Sequence, residues 1–297
     1  MTDDVPALYE RLDARFGAVN GDSRLERLWT GGRWTEGPLY VPAGRYLLFS
    51  DIPNDRVLRW DETDGSVSVF ESPAGYANGR TIDRQGRVVT CQQGGRRVVR
   101  TEHDGSLTVL ADRWEDRRLN SPNDVVVGPD DAVWFTDPPY GITSDYEGER
   151  AHQEIDGCHV YRVVPRSGLV TAVATDFERP NGLAFSADGR HLYVADTHRR
   201  HVRVFDVEDG LLTGGAVFAE LDDRPDGIRL DTAGRVWVAA GAAVSVVDPD
   251  GTLLGRIHLP EEVSNLAFGG RKRNRLFVTA STSVYSVLLT VNGVPLG

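Results

Sequence analysis

Six residues spread along the chain share one chemistry. Glu36, Asn78, Asn123, Asn181, Asp226 and Asn265 all carry side-chain oxygen, and each opens a similar stretch of sequence. Two are carboxylates and four are amides, and no cysteine or histidine stands among them. Such a set suits a hard divalent cation, Ca²⁺ first, because Ca²⁺ takes roughly six to eight oxygen ligands in irregular geometry. Mg²⁺, Mn²⁺, Zn²⁺ and Fe²⁺ stay open as alternatives. Glu36 and Asp226 together would balance a dication. Proline precedes the donor in Pro122-Asn123, Pro180-Asn181 and Pro225-Asp226, where its fixed φ stiffens the backbone that aims the side chain. Turn formation by Asn or Asp before Gly explains one or two of these positions. It does not explain Glu36.

The elements that position these residues form a repeat. The six openings lie 42, 45, 58, 45 and 39 residues apart. Each leads through a turn to an apolar run, such as Leu47–Asp51, Val133–Asp137 or Leu192–Asp196, which is the pattern of a β-hairpin. A second strand–turn–strand follows, as in Val57–Trp60, Asp64-Gly65 and Val67–Phe70. Six units of this size and composition predict an all-β, six-bladed β-propeller with four antiparallel strands per blade. In that architecture the first strand of every blade lines a central channel, so the six openings meet at one mouth. The last unit lacks a convincing fourth strand, and Leu25–Thr30 is expected to supply it and remove an open edge.

Leu8, Leu12 and Phe16 recur every four residues and predict a short helix over Val5–Val19, packed on the propeller. The chain therefore divides into a helical extension, 1–22, and the propeller, 23–297. The longest interval marks an insertion at Pro138–Gly157, and a long loop beside a regular repeat is more often functional than accidental.

Composition excludes several classes. The 297 residues include 33 basic and 44 acidic side chains, a net charge of −11 that disfavours nucleic acid and anionic membranes as partners. Lys272 is the sole lysine, which nearly excludes a Schiff-base or P-loop lysine. G-x-S-x-G, H-E-x-x-H and G-x-G-x-x-G are missing. Cys91 and Cys158 read as reduced, buried residues. With no apolar leader and no long apolar run, the expectation is a cytoplasmic monomer or dimer.

Seven stretches in order then resemble the gluconolactonase and senescence marker protein (regucalcin) family of six-bladed propellers, nearest its bacterial gluconolactonase branch. They are Glu36-Gly37-Pro38, Phe49-Ser50-Asp51, Asn120-Ser121-Pro122-Asn123-Asp124, Trp134 to Gly141, Arg179 to Phe185, Tyr193 to Asp196, and Pro225-Asp226-Gly227. The resemblance implies that Glu36, Asn181 and Asp226 bind one divalent cation, with Asn123 a ligand or a substrate contact. It implies a catalytic role for Asp226 and places Asn78 and Asn265 beside the substrate. The implied activity is hydrolysis of a sugar lactone, D-glucono-1,5-lactone or a close aldonolactone, to the aldonic acid. Asp226 would either take the water's proton or serve only as ligand and orienter. Tyr140 and Tyr146 would close over a neutral small-molecule substrate. A phosphotriesterase on the same metal site and a non-catalytic calcium-binding propeller are the alternatives.

The remaining polar groups have plainer expectations. Asp51, Asp137 and Asp196 end second strands and should cap turns. Arg80, at an expected apolar position, should pair outward rather than meet substrate. Gly94-Gly95-Arg96-Arg97 reads as a polar turn. His198, His201 and their arginine neighbours read as a solvated blade edge. Trp134 and Trp237 should pack between blades.

Overall fold

Short β-branched and aromatic runs separated by Gly and Asp turns give strands, and the computed structural model, which describes residues 4–295, arranges them as six antiparallel sheets around an axis. Blade 1 runs Thr35–Val41, Tyr46–Asp51, Arg56–Asp61 and Val67–Glu71 from the axis outward. The inner strands of the other blades are Ala77–Ile82, Val125–Val127, Pro180–Phe185, Pro225–Leu230 and Val263–Gly269. Each inner strand touches the next, and the sixth touches the first.

The closure matches the sequence expectation. Arg24–Thr30 is the fourth strand of blade 6, with Thr30 opposite Ser283 and Trp29 opposite Val284. Thr35 locks the seam, its hydroxyl donating to the carbonyls of Ala280 and Ser283 at 3.0 Å each. Apolar faces of neighbouring blades meet between the sheets. Trp134 lies edge-on to Phe185 of blade 4, and Trp237 to Phe268 of blade 6; both indoles are fully buried. The blade-4 edge carries the expected polar network, with His198 Nδ1 3.0 Å from Glu178 and Arg203 bonded to Asp176 at 2.9 Å.

The N-terminal helix is shorter than its pattern suggests. Only Ala14–Val19 is helical, as a 3-10 turn capped by Asp13. Asp4–Pro6 instead pairs with Arg24–Thr30 at the outside of blade 6, in register Val5 opposite Leu25, and Leu8–Arg11 pairs with Leu253–His258 outside blade 5. Edge strands with unpaired N–H and C=O groups outbid an isolated helix here. Consequently Leu8 and Leu12 face solvent while Phe16 is buried against blades 5 and 6. Phe16→Ala should therefore cost about 3–5 kcal/mol in denaturant unfolding. Leu12→Ala should stay within about 0.5 kcal/mol; equal costs would restore a helix with all three residues on one buried face.

Candidate active site

The inner strands do not run straight into the mouth. In five blades the pairing between first and second strand slips at the opening residue: between Glu36 and Leu39, Ala77 and Arg80, Pro180 and Leu183, Pro225 and Ile228, and Val263 and Asn265. A bulge bends its strand and re-aims a side chain. Here the repeated bulge turns Glu36, Asn78, Asn181, Asp226 and Asn265 toward the axis. The glycine that follows is demanded by crowding as well as by turn preference. A Cβ on Gly182 would stand 2.5 Å from the Asp226 carbonyl oxygen, and one on Gly37, already at φ +50°, would strike the Asn78 carbonyl.

A second device fixes where each bulge begins. Asp51, Asp137 and Asp196 are fully buried, and each accepts backbone N–H bonds from the residues leading into the first strand of its own blade. Asp51 accepts from Arg33 N at 2.9 Å, Asp137 from Asn120 N at 2.7 Å, and Asp196 from Glu178 N and Arg179 N at 2.9 and 3.1 Å. These positions lie two or three residues before Glu36, Asn123 and Asn181. Expected to cap the turns that follow them, these aspartates instead hold the lead-ins to the site, and Asp196 alone of the three also accepts a backbone N–H from its next turn, Arg199 N at 3.3 Å. Arg96 is no mere turn residue: it is buried, and its Nε donates to the carbonyls of Leu119 and Asn120 at 2.7 and 3.1 Å. Blades 2, 5 and 6 have Gln92, Ala240 and Ala280 at the matching position, so Asp226 is approached by a lead-in without such a staple.

Glu36 Oε2 accepts from Gly37 N at 2.5 Å and from the Asn265 amide at 3.0 Å. Burial pushes its carboxyl up to about 7, against the pull of those two donors. Asp226 is held well above the ordinary carboxylate range by burial first, then by Glu36, Glu147 and Asp124. Asn181 donates its Nδ2 to Thr197 Oγ1 at 3.1 Å, and Thr197 in turn donates to the Pro225 carbonyl at 2.8 Å, tying blade 4 to blade 5. That leaves the buried Asn181 Oδ1 without a hydrogen-bond partner, and the buried Tyr140 hydroxyl is likewise unpartnered. Tyr140 faces Asn181, Thr197 and Asp226, and burial pushes its hydroxyl up to about 12.

These observations fit a divalent cation. Two buried carboxylates with raised proton affinity lower each other's stability, and a buried amide oxygen lacks a donor; a hard cation relieves both. Among the described residues no three His, Cys, Asp or Glu side chains stand close enough to hold an ion by themselves. An ion at the floor would therefore need amide oxygen beside Glu36 and Asp226.

The other expected residues fall into distinct places. Asn78 and Asn123 are buried at the same mouth, with the Asn123 carbonyl accepting from Gly79 N at 2.8 Å. Asn265 is committed on both sides, donating to Glu36 and accepting from Leu266 N at 2.8 Å, so it orients Glu36. Tyr146 lies at the rim, about half exposed, with the Arg33 guanidinium 5.3 Å from its ring centroid. Arg80 departs from the outward pairing expected of it. It is buried inside the channel wall and donates to the Gly37 carbonyl and to Ser50 Oγ, both at 2.6 Å, bracing the bulge beside Glu36. Three contributors had no signal of their own in the repeat: Asp124, which pairs with buried Arg229 at 3.2 Å, Thr197, and Glu147 of the insertion.

Comparison with known proteins places this geometry. The SMP-30/Gluconolactonase/LRE-like region matches residues 34–282. A gluconolactonase of Zymomonas mobilis is 31% identical, over 93% of this chain and 83% of its own. A pentonolactonase of Haloferax volcanii is 33% identical over 85% of this chain and 83% of its own. The solved structure of a Xanthomonas campestris gluconolactonase superposes with a TM-score of 0.91 at 38% identity, covering 97% of each chain.

Raised carboxylates stabilise a fold below their unfolded pKa and lose that contribution as pH rises through the folded value. For Glu36 this window runs from 4.5 to about 7. Surface carboxylates such as Glu102 and Asp250, lowered to about 2 by arginine and hydroxyl partners, act in the opposite sense. The informative quantity is therefore the gain in thermal midpoint when Ca²⁺ is added to chelator-treated protein. It should be larger at about pH 8 than at about pH 5; a gain independent of pH would remove the two carboxylates from the ion site.

Proposed function

The chain belongs to the SMP-30/gluconolactonase/LRE-like family, and from that premise we propose that it is a lactone hydrolase that opens D-glucono-1,5-lactone or a close aldonolactone with one divalent cation, Ca²⁺ first. The observation that carries the reading is the floor of the channel. Glu36 and Asp226 converge there with the unpartnered Asn181 Oδ1, and Asn123 stands at the same mouth as a further oxygen donor. A bound dication supplies Lewis-acid polarisation of the lactone carbonyl.

The chain's own groups then do the rest. Asn78 and Asn123 offer both donors and acceptors, and Tyr140 adds an unpartnered hydroxyl, a lining suited to a polyhydroxylated ring rather than an apolar ester. Asp226 takes a proton from water as its oxygen bonds to the carbonyl carbon. The bond to the ring oxygen then breaks, and that oxygen leaves as a hydroxyl, taking the proton that Asp226 gained and restoring the carboxylate. A carboxylate next to a cation is ordinarily a weak base. Here burial and the Glu36 and Glu147 charges raise the proton affinity of Asp226 against that pull. Asn265 and Arg80 keep Glu36 in place, so Asp226 can exchange its proton without the floor rearranging.

Chelator-treated protein should lose lactone opening and regain it with Ca²⁺. Asp226→Asn should lower kcat by about 10²–10⁴-fold. Retained ion binding with lost turnover in Asp226→Asn supports the base role, and full turnover removes it. Full activity after chelation would overturn the metal-dependent mechanism. Paraoxon hydrolysis without lactone opening would favour a phosphotriesterase, and ion binding with neither activity a binding protein.

A further inference from the structure

The insertion between the second and third strands of blade 3 leaves at the mouth that holds the site, because Asn123 N bonds to the Thr136 carbonyl at 2.9 Å just before it begins. It does not stay over its own blade. Its first turn, Tyr140–Thr143, places Tyr140 beside Asn181 and Asp226 on the blade 4 and 5 side. Further on, Tyr146 reaches Arg33, three residues before Glu36 in blade 1, through a hydroxyl 3.5 Å from the Arg33 carbonyl and a ring under its guanidinium. Gly148 folds back against the Gly141 backbone, and Ala151 N bonds to the Ile142 carbonyl at 3.1 Å. Glu147 stands between these two anchors.

Its carboxylate forms no ion pair among the described residues, and burial pushes it up to about 7, so that it is charged at about pH 8, where that charge is felt at both Glu36 and Asp226. Yet the three carboxylates are not gathered tightly enough to hold one ion. Glu147 therefore lies near the floor without joining a ligand cluster there. On the lactonase reading, on which this inference rests, the substrate occupies the gap between that floor and the insertion, where the unpartnered Asn181 Oδ1 and Tyr140 hydroxyl are free to meet it.

Ring opening changes the charge of what lies in the gap. A lactone is neutral, whereas its product is a carboxylate that a floor cation would retain. Glu36 and Asp226 neutralise that cation, and Glu147 adds one negative charge beyond neutrality. We propose that Glu147 is a product-rejecting residue, whose carboxylate repels the newly formed aldonate and leaves the neutral lactone undisturbed. The tyrosine and glycine anchors hold that charge at the mouth, where the product must pass.

Ca²⁺-loaded wild type and Glu147→Gln, which keeps size and hydrogen bonding, should be compared at about pH 8 with D-gluconate as ligand. Calorimetric titration and inhibition of lactone opening both read its affinity. The variant should bind gluconate about tenfold more tightly, the order expected of one partly screened unit charge. Its KM for the lactone should shift by less, and the difference in gluconate affinity should shrink in about 0.5 M NaCl. Equal gluconate affinity in both proteins, or equal shifts in KM and gluconate affinity, would overturn the role while leaving lactone opening intact. Absence of lactone opening in the wild type would instead overturn the function, and gluconate could then no longer be called its product.

Discussion

Backbones crowd one another at the axis, where each inner strand leans on the next. At Gly37 and Gly182 there is no room for a methyl group against the neighbouring blade. Close packing of this kind converts a repeat in sequence into a ring in space. Because the bulge places a polar residue just before each such glycine, the contact that closes the ring also brings the oxygens together. The site is in that sense a by-product of closure, and it cannot be loosened without loosening the propeller.

Converging carboxylates need compensation, and the chain arranges it in layers. Arg80 braces the Gly37 carbonyl rather than pairing with Glu36, and burial lowers its own proton affinity to about 10. Arg229 takes Asp124 in a buried pair and also lines a cavity of about 300 Å³ with Arg84 at the opposite end of the inner strands. A buried pair of this kind adds little net stability, but removing one partner strands the other. Glu36 and Asp226 are thus left without an arginine partner at the floor, while the charge behind it is already settled. Burial in this layer raises Cys91 as well, which keeps that thiol protonated and inert.

What could be read in advance was what repeats. Turn glycines, apolar runs and one oxygen-bearing residue per unit recur six times, and repetition identifies the blades, the closing strand and the mouth. Whatever occurs once was harder. Arg80 looks like a misplaced surface charge until the Gly37 carbonyl and Ser50 appear beside it. Glu147 sits in an insertion that has no counterpart in other blades, so no periodicity could single it out. The helix pattern Leu8, Leu12, Phe16 failed because a free sheet edge competes for the same backbone, a tertiary effect that local spacing does not carry. Asn265 was recognised as a site residue by position, but its partner on each side is visible only in three dimensions.

The closing strand also sets an order of events in time. Ser283 meets Thr30 across a separation of 253 positions, and Leu8–Arg11 waits for blade 5 in the same way, whereas Asp4–Pro6 finds its partner as soon as Arg24–Thr30 is made. During synthesis at about 5–20 residues per second, Leu8–Arg11 and Arg24–Thr30 have no blade to join until nearly everything else has emerged. For that interval the third strand of blade 6 and the fourth of blade 5 do not yet offer the edges on which the N-terminal strands rest. Pairing at such long range is slow, since loop closure must precede any gain in contact. The oxygens proposed to hold an ion, drawn from the first, third, fourth and fifth blades, therefore come together late, long after Glu36 itself has been made.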